Sequence, residues 1–166
     1  MKIAMFGTTL YAGVISALLA ESGHQVFICN DLQDHTVLFS LRDQDVVEAL
    51  EKQNKKGFLS YCDFSTLPLD IDAYFFSFNP AQEAEALNVV KKLKMRTIIH
   101  PKLMINASTF GLNGTEKLKA VLPDDHWVYF PDTIQELKQD LYLQHIEVNV
   151  LFALGYAFLS NAINCF

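Results

Sequence analysis

The first thirty-one residues follow a pattern of apolar and polar segments that predicts strand, tight turn, helix and strand. Apolar residues run from Ile3 to Phe6 and stop at Gly7. A helical stretch follows from about Leu10 to Glu21, and a second apolar run covers Val26 to Cys29. Short apolar runs bounded by glycine are typical of buried strands. This order of elements is typical of a βαβ unit, in which the two strands pair in parallel.

The rest of the chain continues the alternation of strands and helices. Further strands are predicted at Phe58 to Tyr61, Ile71 to Phe78, Leu103 to Ala107 and Trp127 to Phe130, with Ile98 and Ile99 competing for the third of these. Helices are predicted at Asp45 to Asn54, Ala81 to Leu93 and Thr115 to about Val121. In the second of these helices, Ala84, Leu87, Val90 and Leu93 are expected to face inward. The expected class is α/β: a Rossmann-like, mostly parallel sheet with helices on both faces, followed by a C-terminal apolar helix.

The final segment, Val148 to Phe166, contains no charged residue. Its length is sufficient to span a bilayer. Its polar residues and the absence of a basic flank argue against a membrane span; these polar residues are Asn149, Ser160, Asn161 and Asn164. A helix that is apolar nearly all round must be buried. We therefore expect it to pack on the domain or on a second subunit, and we predict a homodimer through residues 147–166.

Length and composition set the remaining bounds. The 166 residues, 51% hydrophobic and 19% charged, suit a globular domain over residues 1–143 with a helical tail over 144–166. The formal charge of −6 argues against nucleic-acid binding. The N-terminus enters a strand without signal-peptide anatomy, so a cytoplasmic location is expected.

The metal-ligating residue types are scattered. The three cysteines, Cys29, Cys62 and Cys165, have unrelated spacings, and the five histidines show no H-x-x-H pattern. No disulfide framework or metal site is predicted from these spacings. Cys29 closes a buried strand and is expected to act as a small apolar residue.

The candidate binding residues lie at the turn after the first strand. In the G-x-G-x-x-G motif the glycines make the turn, admit the pyrophosphate and pack the helix on the strand. Here these positions hold Gly7, Thr9 and Ala12, so the phosphate-approach glycine is replaced. The predicted contacts are Gly7, Thr8, Thr9, Leu10, Tyr11 and Ala12, with Asn30 and Asp31 after the second strand and Asn79 and Pro80 after a later one. A turn kept for packing alone is the competing interpretation. Tyr11 either covers the nucleotide or packs against the sheet, and the sequence does not decide.

Several segments, in the correct order, resemble the UDP-glucose/GDP-mannose 6-dehydrogenase family. The resemblance starts at MKIAMFGTTLYAGVISALLAESGHQVF and resumes at Asp72 to Phe76. It continues through Ser108-Thr109 with Gly114-Thr115, similar to S-T-V-P-x-G-T, and Pro131 to Glu136, similar to P-E-F-L-x-E. His145 and Asn149, followed by Leu151 to Asn161, resemble the start of the family's central dimerisation helix.

The resemblance implies two NAD-dependent oxidations of a sugar-nucleotide alcohol. The implied catalytic positions are Thr109, Asp132, Glu136, His145 and Asn149. His145 stands where the family has a lysine, and no segment matches the family's cysteine nucleophile. The expectation is an NAD-binding-domain protein that holds a dinucleotide or nucleotide-sugar weakly if at all. It would not complete the oxidation alone, and a partner chain would have to supply the missing groups. The alternative is a regulatory or scaffolding subunit that binds no nucleotide and acts through its apolar tail.

Overall fold

The computed structural model describes residues 1–29, 43–96, 101–110 and 113–130. The strands are β1 (Lys2–Phe6), β2 (Gln25–Cys29), β3 (Leu59–Cys62), β4 (Ala73–Phe76), β5 (Leu103–Asn106) and β6 (His126–Tyr129). The helices are α1 (Leu10–Glu21), α2 (Gln44–Lys55), α3 (Glu83–Lys94) and α4 (Gly114–Lys119), with a 3-10 helix at Pro80–Gln82.

The strands form one parallel sheet with the order β3-β2-β1-β4-β5-β6. β2 and β3 follow one another on one side of β1, and β4 then pairs with the other side of β1. The strand order therefore reverses between β1 and β4. In open α/β sheets, ligands bind at such a reversal, outside the carboxyl ends of the strands.

Each face of the sheet packs against its own helices. One core contains most of α1 with Val46 and Leu50 of α2. The other contains Ala86, Val90 and Leu93 of α3 with Leu118 of α4. Strand residues alternate between the two cores because successive side chains point to opposite faces. The expected Rossmann-like α/β class is confirmed.

The inward face of α3 differs from the expected one. Ala86, rather than Ala84, is fully buried with Val90 and Leu93, a spacing of four and three residues. Ala84 is exposed and Leu87 is half-buried. The expected positions are each three residues apart and so drift around a helix with 3.6 residues per turn, which takes Ala84 off the face that Val90 and Leu93 share.

Part of the sequence analysis falls outside the described residues. This applies to the tail, to residues 131–166 as a whole, and to Ile98 and Ile99. Among the helices of the described segments, none has the length and apolar character needed to cross a membrane.

Candidate functional site

The turn between β1 and α1 packs directly against the loop after β4. Gly7 has a φ of +104°, and a Cβ built on it would lie 1.9 Å from the carbonyl oxygen of Ser77. The Ser77 N–H donates to the carbonyl oxygen of Phe6 at 2.8 Å. Gly7 is therefore required both by its left-handed conformation and by the close approach of the second backbone. The contact lies at the reversal of strand order.

Thr9 is the N-cap of α1, with extended backbone angles of φ −72° and ψ 155°. Its Oγ1 accepts the Ala12 N–H at 3.1 Å and lies 2.5 Å from Oγ of Ser77. The first N–H groups of a helix have no acceptor within the helix, and an anion binds there readily. The Thr9 hydroxyl supplies the acceptor for one of these groups. The residue in the phosphate-approach position thus satisfies a donor that a phosphate would otherwise use.

Tyr11 packs against the sheet. Its side chain is 2% exposed, and its ring centroid lies 6.4 Å from that of Phe75 and 6.3 Å from that of Phe130. Ala12 is completely buried in the same core. Side chains of this first turn therefore pack α1 against the sheet. The backbone N–H groups of the same turn lie at the edge formed by the carboxyl ends of the strands.

Asn79 and Pro80 are exposed where the chain leaves β4. The Asn79 N–H donates to Oε1 of Gln82 at 3.1 Å, and Asn79 caps the 3-10 helix. Proline suits the first helical position because its missing N–H would have no partner there. These two residues follow Ser77 and Phe78 and so stand at the same edge as the Gly7 turn.

A chain of hydrogen bonds continues along this edge toward β5 and α4. The Phe78 N–H donates to Oγ of Ser108 at 3.0 Å. The Ser108 N–H donates to Oδ1 of Asn106 at 3.0 Å, and the Asn106 amide donates to Oγ1 of Thr115 at 2.9 Å. Asn106 and Ser108 are buried. The loops after β4 and β5 are therefore fixed to each other by short polar side chains.

A cavity of about 300 Å³ opens beside this network, at the carboxyl ends of β5 and β6. It is lined by Asn106, Ser108, Phe110, Asn113, Gly114, Thr115, Glu116 and Tyr129. A Cβ on Gly114 would lie 2.4 Å from Cβ of Phe110, so glycine allows this aromatic side chain to pack close to α4. The volume is at the lower end of the range for small-molecule sites, and polar groups of both hydrogen-bonding types line it.

The structure brings together one group of the predicted site residues. Gly7, Thr9 and the loop of Asn79 lie at one edge of the sheet, and exposed Thr109 follows Ser108 of the polar network. Thr8 and Leu10 are half-buried in the same turn, and six other predicted residues lie outside the described residues: Asn30, Asp31, Asp132, Glu136, His145 and Asn149.

Sequence reasoning missed Ser77 and Asn106. Both are polar residues at the ends of buried strands, which was the only available signal. Ser77 contacts Thr9, 68 positions away, whereas Asn106 contacts Thr115 in the helix that follows its own strand. In the described segments, no group of three or more His, Cys, Asp or Glu side chains is placed to hold a metal ion.

The fold is similar to the folds of several enzymes of known structure. The UDP-D-ManNAc dehydrogenase of Pyrococcus horikoshii matches 81% of this chain with a TM-score of 0.66 and 16% identity. The UDP-N-acetyl-mannosamine dehydrogenase of Staphylococcus aureus also matches 81%, with a TM-score of 0.65 and 15% identity. The GDP-mannose dehydrogenase of Pseudomonas aeruginosa matches 78%, with a TM-score of 0.61 and 15% identity. The chain shares its fold with nucleotide-sugar dehydrogenases.

The match covers only part of those enzymes. This chain spans 37%, 37% and 35% of their respective lengths. No protein-family model and no curated protein matches the sequence. The resemblance read from the sequence is thus confirmed at the level of the fold.

Proposed function

We propose that this protein is a dinucleotide-binding domain of the kind found in nucleotide-sugar dehydrogenases, with NAD as its ligand. The observation that carries the proposal is the approach of Gly7 to Ser77, beside the start of α1 and at the reversal of strand order. This is where Rossmann-like sheets bind the pyrophosphate of a dinucleotide. NAD supplies the capacity to accept a hydride.

The proposed site extends along the carboxyl edge in both directions from the Gly7 turn. Backbone groups of Gly7, Thr8 and Leu10 contact the pyrophosphate, and Asn30 or Asp31 contacts the adenosine ribose. The cavity beside Ser108 accepts the other end of the ligand. Its volume and its hydrogen-bonding groups support that assignment.

Thr9 makes the site weak. Its hydroxyl accepts the Ala12 N–H and is held in place by Ser77, so a phosphate must compete with Thr9 for that N–H group. A hydrogen bond to a charged group contributes about 1.5–3 kcal/mol, and the loss of one such donor lowers affinity accordingly. We therefore propose weak binding by the protein as it stands.

We also propose that the chain does not complete the two-step oxidation alone. The described thiols, Cys29 and Cys62, end β2 and β3, whereas the cavity lies at β5 and β6. Three strand spacings separate β2 from β5, a distance of ~14 Å. Neither thiol is therefore placed to attack a substrate in the cavity. Thr109, Asp132, Glu136, His145 and Asn149 remain proposed substrate-side residues.

Two further parts of the proposal concern residues outside the described segments. The domain is proposed to cover residues 1–143, and the tail to join two copies of the chain through residues 147–166, of which all but Glu147 are uncharged. The absence of charge over Val148 to Phe166 supports this association, because such a segment requires an apolar partner.

Isothermal titration with NAD+ and NADH tests the proposal through Thr9. In the Thr9→Gly variant the Ala12 N–H is released for a phosphate, and we expect binding about tenfold tighter than in the wild type, equivalent to about 1.4 kcal/mol. Thr9→Ser is the matched control, since its hydroxyl keeps the cap, and its affinity should equal that of the wild type.

An absence of nucleotide binding would favour the alternative function. If neither the wild type nor Thr9→Gly binds either nucleotide at millimolar concentration while both remain folded, the Rossmann-like sheet is a scaffold. The protein would then be assigned a regulatory or scaffolding function in place of nucleotide binding. Equal gains in Thr9→Gly and Thr9→Ser would contradict the assigned role of the Ala12 N–H.

A further inference from the structure

Two cysteines stand side by side at the carboxyl edge of the sheet. Cys29 is the last residue of β2, Cys62 is the last residue of β3, and the two are paired in the parallel register. Neighbouring strands lie ~4.8 Å apart, which is within the Cα separation that disulfides span. Residues paired in this way extend to the same face of the sheet. Both sulfurs therefore belong to one local site, although 33 positions separate them in the sequence.

The two thiols differ in accessibility. Cys29 is 5% exposed and belongs to the core that contains Phe6, its register partner on β1. Cys62 is half-buried at the outer strand of the sheet, where reagents can reach it. Both are thiols rather than parts of a disulfide. The pair therefore combines one half-buried cysteine with one that the fold buries.

The surroundings of Cys62 favour the thiolate. A hydrogen bond from Cys29 lowers the pKa of the Cys62 thiol, and the Arg96 guanidinium lowers it further, while burial and the Asp63 carboxylate act in the opposite direction. Arg96 is held in place because it donates to the carbonyl oxygens of Phe64 and Leu67, at 2.8 and 2.5 Å. The thiolate is the nucleophile in thiol chemistry.

We propose that Cys29 and Cys62 form a dithiol that low-molecular-weight disulfides oxidise to a reversible disulfide between β2 and β3. The Cys62 thiolate attacks one sulfur of the small disulfide, forms a mixed disulfide and releases one thiolate. The Cys29 thiol then loses its proton and attacks the Cys62 sulfur, releasing the second thiolate. Two protein thiols are oxidised, and one small disulfide is reduced to two thiols.

The competing interpretation is that both cysteines only fill the core as small apolar residues. That interpretation accounts for Cys29, which is buried. It does not require the register partner of Cys29 to be a second, half-buried cysteine. The pair lies at the carboxyl ends of β2 and β3, away from the cavity and next to Asn30, one of the two proposed ribose contacts, and its thiol chemistry requires no bound nucleotide.

Peptide mapping of the whole protein tests the dithiol directly. The purified chain is treated with oxidised glutathione, remaining thiols are blocked with N-ethylmaleimide, and the protein is digested with trypsin. Cleavage after Lys2, Arg42, Lys56, Lys91 and Lys138 places Cys29, Cys62 and Cys165 in the separate peptides 3–42, 57–91 and 139–166. We expect peptides 3–42 and 57–91 to be linked, with the loss of two hydrogen atoms, and dithiothreitol to separate them.

Serine variants assign the order of the two steps. In Cys29→Ser, glutathione should stay attached to Cys62, because the resolving thiol is absent. In Cys62→Ser, Cys29 should remain reduced under the same treatment. Cys165→Ser is the control and should give the same linked pair as the wild type.

The proposal does not depend on the variants being stable, because the wild-type map is decisive. Failure of 3–42 and 57–91 to link under excess oxidised glutathione would overturn it. So would a link from either peptide to 139–166 in place of the expected one. Oxidation of Cys29 at an unchanged rate in Cys62→Ser would overturn the assigned order of attack.

Discussion

At the scale of single residues, two glycines with similar backbone angles have different roles. Gly7 and Gly23 have φ values of +104° and +83°. A Cβ on Gly7 meets the Ser77 carbonyl group, whereas a Cβ on Gly23 has no atom within 4 Å. A side chain at either position would therefore incur the energetic cost of a left-handed backbone. Of the two, only a side chain at Gly7 would also clash with Ser77.

Alanine substitutions should separate these costs. We expect Gly23→Ala to lower the free energy of unfolding by about 1–2 kcal/mol, the penalty of a left-handed alanine. Gly7→Ala should cost about 3 kcal/mol or more, because the two backbones must separate as well. Urea unfolding followed by circular dichroism measures both. Equal losses in the two variants would show that the Gly7–Ser77 approach is unimportant for stability.

Tyr74 has a buried hydroxyl group with no hydrogen-bond partner in the described residues. An unsatisfied buried polar group costs about 1–3 kcal/mol. Tyr74→Phe removes the oxygen and keeps the ring, which stacks at 6.3 Å on Phe6. We expect the variant to be more stable by about 1 kcal/mol in urea unfolding at neutral pH. A loss of stability would indicate that the hydroxyl is satisfied.

The same residue predicts a dependence on alkaline pH. Burial raises the pKa of Tyr74 to about 12 from its ordinary value of 10.0. Between these values the unfolded chain has released the proton and the folded chain keeps it, so the free energy of unfolding falls as pH rises. The contribution is fully present below the ordinary pKa. We expect the difference between wild type and Tyr74→Phe to widen across this interval, as measured by urea unfolding at successive pH values.

At the scale of elements, Arg96 connects the end of α3 to the segment between β3 and β4. Its guanidinium donates to two carbonyl groups of that segment and lies 5.1 Å from the ring centroid of Phe64. Lysine cannot reproduce two parallel donations from a planar group. We expect Arg96→Lys to increase amide hydrogen exchange over residues 63–72. Lys94→Gln, at an exposed position of the same helix, is the control and should leave that exchange unchanged.

The positions of elements were predictable, while their contacts were not. The bounds of α1, Leu10–Glu21, agree with the prediction because Gly7 and Gly23 mark both ends. The strand predicted over Ile71 to Phe78 is ordered as β4 only over Ala73–Phe76. Ile71 and Phe78, beyond its two ends, are buried apolar residues, and burial alone does not require strand pairing. The periodicity of apolar residues indicates which side chains are buried, but it does not indicate which element packs against them.

The position of the candidate site was also predictable from the sequence, whereas the contacts within it were not. Gly7 and the start of α1 were readable from local sequence, because a tight turn needs glycine. The bond between Thr9 and Ser77 joins residues 68 positions apart and depends on the order of the strands. The pairing of Cys29 with Cys62 has the same origin. Nothing within either segment alone specifies these contacts.

At the scale of the whole molecule, the uncharged tail leads to a prediction about assembly. We expect the full chain to be a dimer by light scattering at micromolar concentration. Leu154→Asp should give a monomer, since a charge in an apolar contact is costly. Ser65→Asp introduces the same charge at an exposed turn and should remain dimeric. A monomeric wild type would contradict the proposed role of residues 147–166.

The contact between the first turn and the loop after β4 also bears on how the protein folds. The contacts of Gly7 and Thr9 with Ser77 form only when a loop of nearly seventy residues has closed. Contacts between distant residues slow folding, because the entropy of loop closure is lost before the contact forms. During synthesis, the first βαβ unit would emerge with its turn unsupported until β4 has left the ribosome. The turn at the proposed nucleotide site would therefore be completed later than the strands and helix of the βαβ unit that carries it.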